Sequence, residues 1–276
     1  MDFFTCPVCK KRFTQKERSL ICENGHCSDL SKKGYVNLLR PAKSGGVRHG
    51  DDKLMVSART AFLGAGFYDM LRDAVTETVL KYTEDSPKIL DAGCGEGFYT
   101  SHIRQALAEK HPAVYGIDVS KDAIHAAAVR DKQLHLAVAS IFDLPIEDQS
   151  IDLLINLFAP YDASEFSRVL KDGGILLRVF PREKHLWELK TAVYDVPYEN
   201  EIDTLILEGF ELIEKKEITF PLSLDAPEYI DTLFKMTPYY YKTSREGQAR
   251  LHALDFLQTH AEFFLVIYRK NNKPAF

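Results

Sequence analysis

Ile89-Leu90-Asp91-Ala92-Gly93-Cys94-Gly95-Glu96-Gly97 is the stretch on which the reading of this chain turns. An apolar strand pattern runs into a GxGxG turn, and Phe98-Tyr99-Thr100 then opens a helical pattern. Such a turn lets backbone approach a ligand closely, and an acidic residue ending the next strand can accept bonds from ribose hydroxyls. Asp118 stands at that position, 25 residues after Gly93. A lone glycine turn is a weak signal, so its surroundings must decide what it binds.

Outward from the turn the chain alternates strand and helix. Strands are expected at 88–92, 113–118, 134–139, 151–157 and 175–180, with helices at about 99–110, 121–130 and 164–170. This is the βαβ rhythm of a parallel sheet. Segments 210–221 and 263–270 read as a closing antiparallel pair, and a helix is expected from Arg182 through Lys190. Upstream, Met55, Ala58, Phe62 and Leu63 share one helical face. Gly64-Ala-Gly66 interrupts it, and a second helix is expected from Asp69 to Tyr82. Tyr68, at that junction, could close over a ligand.

One charge narrows the ligand. Glu96 heads the helix after the turn, where it would repel a pyrophosphate but could receive an ammonium group. That argues against a nicotinamide dinucleotide and for a methionine moiety. The full set is Asp91-x-Gly-x-Gly-x-Gly97, Asp118, the acidic turn at Asp143 and Leu170-Lys-Asp-Gly-Gly174. It resembles the class I S-adenosylmethionine-dependent methyltransferases. The resemblance implies an α/β, Rossmann-like, seven-stranded fold. In it Gly93, Gly95 and Gly97 give the methionine end room, Asp91 orients the turn, and Asp118 holds the ribose. Ser140 and Ile141 lie along the adenine.

The first fifty residues differ from the rest. They hold ten Lys/Arg against four acids, a net of +6, whereas the remainder carries −11. A basic module on an acidic body suits a polyanionic partner. Four of the five cysteines fall here, as Cys6-Pro-Val-Cys9 and Cys22-Glu-Asn-Gly-His26-Cys27. Two thiolates from one tight turn and two ligands from a second match a closed structural zinc site. Cys6, Cys9 and Cys22 are three of the ligands, and either His26 or Cys27 completes the set. Lys32, Lys33 and Tyr35 follow, a basic and aromatic mix that suits phosphate contact and base stacking, or else a strand packing back on the knuckle. The expected division is a zinc module at 1–40, a linker at 41–53 and a catalytic domain at 54–276. With no apolar run near the ~18 residues of a membrane helix and no signal-peptide core, no membrane partner and a cytoplasmic location are expected.

Late in the chain, Met236-Thr-Pro-Tyr239-Tyr-Tyr241-Lys242-Thr-Ser-Arg245 sets three tyrosines beside two cations. It could stack on extruded bases or pack as a lid. With Lys33-Gly-Tyr-Val-Asn-Leu-Leu39, Ala58-Arg59, Gly66-Phe-Tyr68, Phe158-Ala-Pro160 and Arg182…His185-Leu…Glu-Leu-Lys190, the chain resembles the bacterial 23S ribosomal RNA (guanine-N1) methyltransferases. That resemblance implies a Cys6, Cys9, Cys22 and His26 zinc set, and cofactor contacts from Tyr68, Glu96, Gly97 and His185. It further implies 23S rRNA as partner, methylated in a hairpin loop of domain II, and leaves a homodimer as a candidate assembly. Tyr241 departs from the tryptophan expected after Met-Thr-Pro, although Tyr241, Lys242 and Arg245 remain the RNA-facing candidates there. Asp162 and Glu165, after the Phe-Ala-Pro turn, are candidate acceptors of the guanine N1 proton. A small-molecule methyltransferase with a purely structural knuckle is the alternative; a non-catalytic RNA binder is a third reading, disfavoured by the intact turn.

Overall fold

The computed structural model describes residues 4–40, 50–202 and 205–272; positions 41–49 of the expected linker lie outside these residues. The knuckle is a three-stranded antiparallel sheet of β1 (Phe13–Lys16), β2 (Ser19–Cys22) and β3 (Cys27–Asp29). Next comes β4 (Val36–Asn37). Then α1 (Lys53–Gly64) starts where Asp52 accepts a hydrogen bond from the Met55 amide at 2.9 Å, an N-cap that satisfies an otherwise unpaired donor. After it comes α2 (Asp69–Lys81).

The central sheet begins with β5 (Lys88–Ala92), α3 (Phe98–Ala106), β6 (Ala113–Asp118) and α4 (Lys121–Arg130). It continues through β7 (His135–Val138), β8 (Ile151–Leu157), α5 (Ala163–Val169), β9 (Leu170–Pro181) and α6 (Trp187–Val193). β10 (Phe210–Leu224), α7 (Pro227–Lys235), α8 (Arg245–His252) and β11 (Leu257–Lys270) complete it. The strand order is β10-β11-β9-β8-β5-β6-β7-β4, with β11 antiparallel to both neighbours and the other pairings parallel. The inner strands are apolar on both faces because both are covered: Ile89, Leu153 and Leu177 enter one core, and Leu90, Leu154 and Leu176 the other. The carboxyl ends of β5, β6, β7, β8 and β9 therefore meet along one edge, where ligands of such sheets bind.

The expected seven strands become eight. β4 pairs in parallel with β7 (Val36 with Ala137, Asn37 with Val138), and the Leu38 amide continues the ladder to the Val138 carbonyl at 2.8 Å. At the other end of the knuckle, Phe4 bridges to Ile146 and packs edge-on against Tyr115. The zinc module is thus built onto the catalytic sheet. Other differences are local. Residues 170–174 belong to β9 rather than leading into it, with a register shift between Ile151 and Leu153 absorbing the extra length. The helix expected from Arg182 starts only at Trp187. Residues 182–186 instead form a turn pinned to β11, the Arg182 amide donating to Glu262 and the Leu186 amide to His260.

Candidate active site

The amides of Gly93 and Cys94 both donate to the Ile117 carbonyl, at 2.8 and 3.0 Å, which fixes the turn against β6. Gly93 has φ +96°, and a Cβ there would stand 2.4 Å from the Ala159 Cβ, so only glycine fits. Asp118 ties the same turn: Oδ2 accepts from the Gly95 amide at 3.0 Å and Oδ1 from the Ser120 amide at 2.7 Å. Each carboxylate oxygen keeps a second lone pair for a ribose hydroxyl. Burial raises the Asp118 pKa, and the two amides oppose that rise.

Among the described residues, three buried polar atoms around the turn have neither a hydrogen-bond nor an ion-pair partner: Asp91 Oδ1, Glu96 Oε1 and the Tyr99 hydroxyl. Asp91 Oδ2 accepts from Thr100 at 2.6 Å, but burial still pushes the carboxyl up to about 7. Orphaned acceptors are costly unless a ligand supplies donors, and the ammonium of a methionine moiety would do so. The residues present therefore fit S-adenosylmethionine. Glu96 is not the open charge that its place at the helix head suggests: it is 2% exposed, and Oε2 lies 2.8 Å from Arg130 Nη2 on α4. It presents one oxygen rather than a full charge.

The remaining cofactor candidates frame the same edge. Ser140 follows β7 and accepts from the Phe142 amide at 3.2 Å, and Ile141 beside it is buried. The Tyr68 ring is enclosed edge-on by Phe62, Phe220 and Phe263. His185, in the turn after β9, lies 4.6 Å from the Phe263 ring and accepts from the Glu262 amide through Nδ1. Burial, helped by nearby Lys190, lowers its pKa to about 3, so it is neutral and carries its proton on Nε2.

In the knuckle, Cys6, Cys9, Cys22 and His26 bring one ligand atom each to within 4.8 Å of one another. The Cys22 Sγ to His26 Nδ1 separation is 3.4 Å, and those of Cys6 to His26 and Cys9 to Cys22 are 3.6 Å. Bond lengths of about 2.3 Å to sulfur and 2.0 Å to nitrogen give tetrahedral edges of roughly 3.5–3.8 Å. Cys27 starts β3 and is exposed, outside the cluster.

The two proton-acceptor candidates both have structural partners. Asp162 is the N-cap of α5, its Oδ1 accepting from the Ser164 hydroxyl and amide and the Glu165 amide, which lowers its pKa. Glu165 accepts from Arg168 through both oxygens at 2.8 Å and from the Leu144 amide at 2.7 Å. Both carboxylates hold loops together, a task that competes with taking a substrate proton.

Residues 4–44 match the family described as "RlmA, N-terminal", and residues 83–219 match "Methyltransferase domain". A Bacillus subtilis relative, YxjB, provisionally named a 23S rRNA (guanine-N1)-methyltransferase, is 35% identical over 263 residues, covering 89% of this chain and 90% of its own. The chain belongs to the 23S rRNA (guanine-N1)-methyltransferase family. The Streptomyces fradiae 23S rRNA (guanine(748)-N(1))-methyltransferase is 34% identical, covering 69% of this chain and 68% of its own. The malonyl-[acyl-carrier protein] O-methyltransferase of Hamiltonella defensa matches at 31% over 52% of this chain and 57% of its own. In fold alone, a chain solved with the Haloferax volcanii Trm112 methyltransferase activator superposes with a TM-score of 0.51 at 17% identity, over 81% of this chain and all of that one. This rRNA (guanine-N1)-methyltransferase is an S-adenosylmethionine-dependent enzyme with a zinc ribbon.

Of the methyltransferase's RNA-facing candidates, Lys32, Lys33, Tyr241, Lys242 and Arg245 are exposed. Tyr35 is not: it is buried, with its ring edge-on to His125 of α4. That corrects its stacking role, because the residue packs the knuckle on the body. Tyr241 is 58% exposed and donates to Asp52 Oδ2 at 2.6 Å, whereas Tyr239 is buried. Asp143, read as part of the cofactor signature, pairs with Lys10 and with Arg40, and Glu147 pairs with Arg12. Sequence reasoning assigned no role to Arg59, whose guanidinium lies over Gly95, or to Phe158. Phe158 is 45% exposed at the mouth of β8 with φ +57°, a strained conformation for a bulky residue at a ligand edge. An aromatic directly after the strand pattern 151–157 and before Ala159-Pro160 was the available signal.

Proposed function

We propose that this enzyme transfers a methyl group from S-adenosylmethionine to N1 of a guanine in a hairpin loop of domain II of 23S rRNA. The observation that carries the reading is the placement of the basic zinc module. β4 extends the cofactor sheet beside β7, and past the carboxyl end of that pair Lys10 and Arg40 of the module meet Asp143, just after the Ser140–Ile141 turn, so these cations stand beside the catalytic edge, whereas Lys32 and Lys33 precede β4 at the opposite end. A relative whose name specifies N1 of guanine 748 supports the choice of atom. The enzyme would act in the cytoplasm, and a homodimer would enlarge the surface offered to the RNA; among the described residues no helix is long and apolar enough to cross a membrane.

The bound cofactor supplies a methyl group already activated on a sulfonium. The protein must hold the acceptor in line with it. Guanine N1 lies on the Watson–Crick edge, so the base must leave its stack before the edge can enter the cleft. Phe158 offers an exposed ring at the mouth of β8 on which the flipped base can rest. Asn156 supports that turn by donating to the Ala92 and Pro160 carbonyls, both at 3.0 Å. With Asp162 and Glu165 engaged in loop contacts and the His185 Nδ1 lone pair taken by the Glu262 amide, the N1 proton passes to water in this reading.

The match of the catalytic half to an acyl-carrier-protein methyltransferase favours a small acceptor as second reading. Reverse transcription separates the two, because a methyl on N1 blocks pairing. Incubating the zinc-loaded enzyme and S-adenosylmethionine with unmodified 23S rRNA should create one strong stop in a domain II hairpin. No stop anywhere in the RNA would reject the proposal.

A further inference from the structure

Arg59 projects from α1 onto the glycine turn: a Cβ placed on Gly95 would lie 3.6 Å from its Nη1. It pairs with Asp51, and Nη2 donates to the Met236 carbonyl at 3.4 Å. Glu96 is not its partner, because Arg130 already faces that carboxylate. We infer that Arg59 receives the carboxylate of the cofactor's methionine moiety and ties it to the segment that enters α1.

An amino-acid moiety is a zwitterion and needs both kinds of partner. Among the described residues, Asp91 Oδ1 and Glu96 Oε1 are unpaired buried acceptors for its ammonium. For its carboxylate the turn needs donors nearby. A guanidinium has five N–H groups in a planar fork suited to a carboxylate, and only two are used here among the described residues. The Tyr99 hydroxyl, buried in the first turn of α3 and unpartnered among the described residues, is a second donor. The Arg59 charge is felt at Glu96, Asp118, Tyr68 and Tyr99, so it sits centrally among the cofactor candidates.

The same cation faces the entering segment. The Asp51 carbonyl accepts from the Ser120 hydroxyl at 2.6 Å, beside Asp118, and Asp52 both caps α1 and accepts from Tyr241. Binding of the carboxylate at Arg59 would thus steady Asp51 and Asp52 at the entry to α1, together with the exposed Tyr241.

The inference rests on the S-adenosylmethionine reading of the turn, and calorimetry on the zinc-loaded full chain tests the two separately. S-adenosylhomocysteine carries the amino-acid end; 5′-methylthioadenosine lacks it. Arg59→Gln should weaken S-adenosylhomocysteine by about 10- to 100-fold, the range for losing a charged hydrogen-bond partner, and leave methylthioadenosine within about twofold. Arg59→Lys should recover part of the loss. Unchanged S-adenosylhomocysteine affinity, or equal weakening of both ligands, would overturn the inference. Should Arg59→Gln fail to fold, the wild type decides: decarboxylated S-adenosylmethionine must bind at least about tenfold more weakly than S-adenosylmethionine, and equal affinity overturns the assignment. Failure of the wild type to bind S-adenosylhomocysteine at all would instead sink the cofactor reading.

Discussion

Gly93→Ala probes the packing on which the cofactor site stands. Two costs can be read from the structure. The backbone at φ +96° is a conformation that side-chain-bearing residues resist, worth about 1–3 kcal/mol. The new Cβ would also lie 2.4 Å from the Ala159 Cβ, with the Ala159 Cα next at 3.9 Å. Asn156 holds the Phe-Ala-Pro turn through two carbonyls and limits its retreat. Overpacking of this kind costs roughly 1–3 kcal/mol. Together they predict a loss of about 2–6 kcal/mol, or a Tm lower by roughly 5–20 °C, in thermal unfolding followed by circular dichroism. The clash has a single partner, so Ala159→Gly in the Gly93→Ala background should recover the overpacking share and leave the φ share. Gly95→Ala, with φ +54° and only the Arg59 side chain within 4 Å, should cost about 1–2 kcal/mol. If the double variant is no more stable than Gly93→Ala, the contact between the two turns is not what excludes a side chain.

Further outcomes follow from the same geometry. Glu165→Gln should lower stability by about 1–3 kcal/mol, because it weakens the bonds to Arg168 and the Leu144 amide, yet leave the single-turnover methylation rate of the folded fraction unchanged. A rate loss of tenfold or more with intact cofactor affinity would restore Glu165 to the chemistry. His26→Ala should strip zinc from the purified protein while Cys27→Ser keeps one equivalent, as read by elemental analysis; retention by the first variant and loss by the second would exchange their roles. His185 is held neutral in the fold with a pKa of about 3, whereas the unfolded chain takes up the proton near 6.5. Its contribution is complete above about pH 6.5 and is lost, at up to about 1.4 kcal/mol per pH unit, as pH falls toward 3. Urea unfolding of His185→Asn should therefore show a shallower loss of stability from pH 6.5 to 4.5 than wild type, and equal slopes would contradict the assignment.

The parallel sheet was legible because its inner strands are long, apolar and separated by helical periods, so strand ends such as Ala92, Asp118 and Leu157 could be placed from pattern alone. β4 was not, because two residues carry no periodicity and its partner lies a hundred positions away. Spacing left His26 and Cys27 open as fourth ligand; the choice came from the family resemblance and agrees with the fold, where Cys27 enters β3 while His26 stays in the turn. Asp162-Ala-Ser-Glu165 carried its own warning, since an acid followed three residues later by glutamate is the pattern of a helix start. Its position after the Phe-Ala-Pro turn outweighed that pattern. The partners of Glu96 and Tyr35 lie on α4, and nothing local to either residue foretells Arg130 or His125. Charge was visible in the sequence, but which charges were already neutralised was not.

The central claim is that the glycine turn supplies a methyl group to N1 of a ribosomal guanine. Mass analysis of nucleosides from 23S rRNA, treated with the enzyme and methyl-deuterated S-adenosylmethionine, tests it most directly. The account predicts label in 1-methylguanosine alone, released from a domain II fragment, and none when Asp118→Ala replaces the wild type. Label in another nucleoside, in another domain, or in no RNA at all would contradict it.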